Sequence, residues 1–278
     1  MTLKKSLPSF SPYTFGTMSL GRAVASFDKD IAVARTAMDA GVWFHTSQEY
    51  SGGGSFMVLR HAFDQDRSKT PRLIFKIRCD RAETIRFDVE DACQRLNIEQ
   101  VDVAQLCRDT HDHRKVVKDF LNQGPMWETC CDLSDRGLVG NFVFEVFPGY
   151  AEDALEAVEN DLFDGCILYL NPTQRNATPP LWEAMQQRRT PLLALRTLGG
   201  GAEASDAVAE VFRGSGCSSW PTFCVRYSLS VPGVLTTIGG TASESHLQEL
   251  LSAAEGFEPL DAEVMTRVEE LYRTSTIT

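Results

Sequence analysis

No stretch of this chain is apolar for long enough to cross a bilayer, and its start lacks the charged-then-apolar pattern of a secretory leader. The expectation is a cytoplasmic protein with no membrane partner. Positive charge is also short: 27 Lys and Arg stand against 38 Asp and Glu, a formal net charge of -11. Such a surface repels nucleic acid and anionic lipid, although a local basic mouth can still hold an anionic small molecule. The 8 cysteines include no Cys-x-x-Cys pair, and Cys130 and Cys131 are adjacent. Neither a zinc knuckle nor a secreted disulfide framework is expected, and the thiols other than Cys107 read as buried and reduced. Linkers and low-complexity segments are missing too. Gly52-Gly53-Gly54 lacks the Lys-Ser/Thr ending of a phosphate loop and reads as a flexible mouth loop. His111-Asp112-His113 offers two imidazoles without a third ligand, so it reads as a polar surface turn, and no metal is expected.

What is present is a regular alternation. Short β-rich runs exchange with amphipathic helical stretches along almost the whole length, the pattern of parallel βα units. Strands are expected at residues 13–18, 42–44, 73–77, 101–106, 139–144, 165–170, 192–195 and 234–238. Eight is the number that closes a (β/α)8 barrel, and 278 residues suit one such domain, so a single TIM barrel over residues 1–278 is predicted. Ile31, Ala34, Ala37 and Met38 form one face of the first helix, and Ser243 is placed to open a late one. A last helix is expected over residues 261–272. The carboxyl ends of the strands would then bring His45, Lys76 and Cys107 to one mouth.

The segment Gly41-Val42-Trp43-Phe44-His45-Thr46-Ser47-Gln48-Glu49-Tyr50 carries the chemistry. It resembles the second strand and loop of the aldo-keto reductases, which hold a catalytic Asp and Tyr in a Gly-x-x-x-Phe-Asp-Thr-Ala-x-x-Tyr-Gly pattern. Tyr50 and Lys76 match that family, whereas His45 stands where it has Asp. Gln105-Leu106-Cys107-Arg108 resembles its Gln-Leu-His-Arg pattern with Cys107 in place of the His. A phenol beside an ammonium is a good proton donor, because the positive charge favours the phenolate left behind. His45 is expected to place a group of near-neutral pKa, a candidate base, beside it.

The family's cofactor contacts are altered. Glu145-Val146 aligns with its Ser-Asn pair, Ile167 with its Gln, and Leu195-Arg196 with its stacking Tyr. Residues 236–250 still resemble its phosphate-gripping segment, which implies Gly240, Thr241 and His246 as contacts, since a helix N-terminus can hold a phosphate. No obligatory cofactor is expected, and NADP is allowed. Arg108, Arg196 and Trp43 are the candidate substrate-binding residues, the arginines as grips for a carboxylate.

The expected function is an enzyme working on a carbonyl- or enol-bearing small molecule by proton transfer or electrostatic catalysis without standard hydride transfer. An isomerase, lyase or cyclase would need such groups. The alternatives are an NADP-dependent carbonyl reductase with unfamiliar contacts and a noncatalytic ligand-binding barrel. The sequence sets no oligomeric state.

Overall fold

A computed structural model describes residues 3–106, 113–199 and 204–274. The chain begins β1 (Tyr13–Gly16), α1 (Phe27–Asp39), β2 (Trp43–Ser47), α2 (Gly54–Gln65), β3 (Leu73–Lys76), α3 (Ala82–Leu96) and β4 (Val101–Leu106). It continues α4 (His113–Leu121), α5 (Pro125–Asp135), β5 (Val139–Val146), α6 (Ala151–Glu159), β6 (Gly165–Asn171), β7 (Gln174–Arg175) and α7 (Pro179–Arg188). It ends β8 (Leu192–Leu195), α8 (Asp206–Gly214), α9 (Trp220–Ser230), β9 (Val234–Gly240), α10 (Glu244–Glu255) and α11 (Ala262–Thr274).

Eight parallel strands close into a barrel, with β5 paired to β6 and β9 paired back to β1. The ninth, β7, is a two-residue antiparallel flap on the end of β6. Every strand expected from the alternation is present, several extended at the carboxyl end, as at β2 and β9. Side chains alternate across each strand, so one set faces the helices and the other fills the barrel. Trp43, Ile74, Val103, Val143, Ile167 and Leu193 form an apolar plug inside. Two positions further along their strands stand His45, Lys76, Gln105 and Glu145 in place of aliphatics. A polar layer therefore sits on an apolar one.

The helices form where apolar positions recur on one face and end where local chemistry stops them. Ile31, Ala34, Ala37 and Met38 are buried on α1 as expected. Asn97 ends α3 in a left-handed conformation at φ 52°, which its short amide side chain tolerates. Ser219 caps α9 by accepting the N–H of Thr222. Ser243 occupies the cap position of α10 without making a side-chain cap bond.

The final helix is fastened across the barrel wall. The Arg175 guanidinium lies 4.5 Å from the ring centres of both Trp182 and Tyr272 and pairs with Glu269 at 2.6 Å. The Tyr272 hydroxyl donates to the backbone carbonyl of Asn171. Among the described residues, no helix is long and apolar enough to cross a membrane.

Candidate active site

A cavity of about 300 Å³ opens at the carboxyl ends of the strands, and His45, Tyr50, Lys76, Tyr169 and Arg196 line it. A larger depression of about 410 Å³ lies at the amino ends of β6 and β8, where Lys4, Asp161 and Arg188 are tied in ion pairs. The first is the better candidate, because titratable groups from separate strands converge on it.

Lys76 is almost buried, and its ammonium lies 3.3 Å from each carboxylate oxygen of Glu145, whose side chain is fully buried. The Gln105 amide donates to Glu145 Oε2 at 2.6 Å, and its Oε1 lies 2.8 Å from His45 Nε2. Four neighbouring strands thus contribute one polar side chain each to a connected set. An isolated buried ammonium would be costly, and the carboxylate on β5 offsets that cost.

The expected near-neutral His45 is overturned. Burial, then the charge of Lys76, push its pKa from 6.5 down to about 3, with the Gln105 hydrogen bond opposing. The ring is neutral at physiological pH and is a weak base. Its centre lies 6.2 Å from that of the Tyr50 ring.

Tyr50 starts a single tight turn in which Ser51, Gly52 and Gly53 all have positive φ, at 56°, 62° and 92°. The segment expected as a mouth loop forms this turn at the start of α2. Ser51 Oγ donates to the carbonyl of Leu20 at 2.7 Å. A Cβ on Gly54 would come within 2.2 Å of the Gly21 carbonyl oxygen, so α2 starts against the loop that leaves β1.

Arg196 projects from the end of β8 in a left-handed conformation at φ 54°, which is unusual for a residue with a Cβ. Its carbonyl is held by the side-chain amide of Asn171 at 2.8 Å and by the N–H of Gly199 at 2.7 Å. The guanidinium lies 4.1 Å from the ring centre of Tyr169.

The other expected positions are less convergent. Trp43 shares the inward parity of His45 but begins β2, so it lies at the opposite end of the barrel. There it packs against Phe10 at 4.4 Å beneath Arg72 and does not line the cavity. Gly240 lines the cavity, yet a Cβ there would meet the Gly16 carbonyl at 2.5 Å, so strand packing alone demands glycine. Thr241 Oγ1 accepts the N–H of Ser243 at 3.0 Å, and His246 is exposed on α10 away from the cavity lining. Cys107 and Arg108 lie outside the described residues, as do His111 and Asp112. His113 is a packed histidine, stacked on Tyr150 at 4.3 Å with Nε2 3.2 Å from the Glu145 carbonyl. Among the described residues, no group of three His, Cys, Asp or Glu could hold a metal ion.

Glu145 and Gln105, which complete the connected polar set, were not among the candidate site residues. The signal was present as an acid and an amide two positions beyond the inward-facing Val143 and Val103, although β5 also carries Asn141 on that face, bonded to Asp164 at its amino end.

The comparisons agree on architecture. A sequence profile described as "Aldo/keto reductase family" matches residues 13–273. The structure superposes on an aldo-keto reductase from Klebsiella pneumoniae in complex with NADPH at TM-score 0.75 and 19% identity, covering 99% of this chain and 97% of that one. A holo-form aldo-keto reductase from Bacillus halodurans gives TM-score 0.72 at 18% identity, with 98% and 95% covered. No curated protein matches the sequence.

Proposed function

We propose, from the premise that this chain belongs to the aldo/keto reductase family, that it is an enzyme acting on the oxygen of a carbonyl- or enol-bearing small molecule. Its reaction is proton transfer with electrostatic stabilisation and no standard hydride transfer, of isomerase, lyase or cyclase type. The observation that carries this reading is the convergence of Tyr50, His45 and Lys76 on one cavity, with Lys76 paired to Glu145. The Tyr50 hydroxyl gives its proton to the substrate oxygen, a water in the open cavity takes the proton leaving the adjacent carbon, and the nearby ammonium stabilises the phenolate until a proton returns to it. His45, neutral beside Lys76, adds no second positive charge. Arg196 takes an anionic group of the substrate, since stacking on Tyr169 leaves the in-plane N–H donors of its guanidinium available. A cavity of about 300 Å³ suits a small ligand.

The residues aligned with the family's NADP(H) contacts differ from them in chemistry, which supports this reading. A nicotinamide carboxamide needs neutral donors and acceptors, whereas Glu145 is a buried carboxylate already engaged by Lys76 and Gln105. A 2′-phosphate is held best by cations, whereas the first residue of α10 is Glu244 and residues 234–250 contain neither Lys nor Arg, leaving backbone N–H groups and His246. A second reading, carbonyl reduction with a nicotinamide cofactor, is favoured by family membership and by the NADPH-bound state of the Klebsiella protein.

One experiment separates them. A panel of carboxylate- and phosphate-bearing ketones and aldehydes is incubated with the protein in D2O without nicotinamide and followed by proton NMR. Deuterium uptake or conversion that disappears in Tyr50→Phe supports the first reading. No uptake, together with substrate-dependent NADPH oxidation in a parallel assay, overturns it in favour of the second.

A further inference from the structure

We infer that the Lys76 counter-ion has moved from β2 to Glu145 on β5, and that Gln105 relays the orientation of that carboxylate to His45. This makes Glu145 and Gln105 positioning residues. The inference rests on the reading above only in taking His45, Tyr50 and Lys76 as the working site.

The argument begins with charge. A histidine at position 45 cannot neutralise an ammonium, and a nearly buried ammonium needs a carboxylate close by. Among inward-facing residues, Glu145 supplies it at 3.3 Å through both oxygens. Position 45 is thereby released from carrying negative charge, so an imidazole can stand there.

Hydrogen-bond direction fixes the rest. An ionised carboxylate only accepts, so the Gln105 side chain must turn its NH2 toward Glu145, where the contact is 2.6 Å. Its oxygen then faces His45 Nε2 at 2.8 Å and can only accept. His45 must therefore carry hydrogen on Nε2, which leaves Nδ1 with an open lone pair in the neutral ring. A carboxylate on β5 thus selects the tautomer of a histidine on β2 through one amide on β4. The groups packed around the imidazole are consistent with neutrality: Lys76 from β3, Gln105 from β4 and the Tyr50 ring from the turn after β2.

The test is histidine side-chain nitrogen NMR on the full chain, with His45 assigned by the loss of its signal in His45→Gln. The expected result at neutral pH is a neutral ring protonated on Nε2. A ring protonated on Nδ1, or on both nitrogens, overturns the proposal. Gln105→Leu removes the acceptor, so the His45 pattern should become a mixture of tautomers; an unchanged pattern also overturns it.

A second measurement covers Glu145→Gln, which strands the ammonium and can unfold the chain. Adding His45→Asp restores a carboxylate from the other side, so the double variant should melt at a higher temperature than Glu145→Gln alone. A double variant that melts no higher overturns the counter-ion assignment. Neither measurement depends on turnover. A chain with the expected tautomer and no deuterium uptake would lose the proposed reaction and keep this relay.

Discussion

Acidification from about pH 8 to about pH 5 should cost the folded chain about 2 kcal/mol through His45 alone. In the unfolded chain the imidazole titrates at 6.5, and in the folded one burial and Lys76 hold it down to about 3. The depressed folded value means that its contribution to stability is full above 6.5 and is lost as the pH falls from there toward 3. Each pH unit within that window costs about 1.4 kcal/mol, because the unfolded state binds a proton that the native state refuses. Carboxylates such as Asp102 and Asp164, raised by burial, titrate in both proteins compared and cancel. The assay is urea denaturation of the native chain and of His45→Gln at the two pH values. Glutamine can still donate to Gln105 Oε1 but does not titrate. The native chain should lose about 2 kcal/mol more than the variant. Equal losses would refute the reasoning, since they would mean that His45 is not held neutral by its surroundings.

Tyr50→Phe removes one hydroxyl from a half-buried ring, so activity should vanish while the urea midpoint changes little. Arg196→Gly should weaken an anionic ligand by about 10- to 100-fold in a calorimetric titration, the worth of one charge-assisted hydrogen bond. Its stability should move by less than about 1 kcal/mol, because glycine relieves the left-handed backbone while losing the stack on Tyr169. Gly54→Ala should cost about 1–3 kcal/mol in denaturation, since the new methyl would collide with the Gly21 backbone.

The barrel was legible because period-2 apolar runs bounded by polar turns mark strands without reference to tertiary contacts. The inward parity of His45 and Lys76 followed from the same pattern. Parity does not say which end of the barrel a residue reaches, which is why Trp43 was expected to bind substrate and lies in the plug at the other end. His45 was expected to titrate near neutrality because its sequence neighbours say nothing about burial, and depth together with Lys76 decides its proton affinity. Glu145 was noticed only as a departure from a nicotinamide contact. Its role emerges when β3, β4 and β5 lie side by side, a relation between residues 76, 105 and 145 that no local spacing encodes. The close approach of Gly21 to Gly54 was out of reach for a related reason, since it lies beyond the glycine segment itself.

Asn171 is a splice between the tail and the mouth. Its carbonyl receives the phenol of the last helix, and its amide holds the backbone that presents Arg196. A nick freeing the end of α11 would slacken that splice, so the backbone that presents Arg196 would loosen before the barrel, although nothing beside the imidazole had been touched.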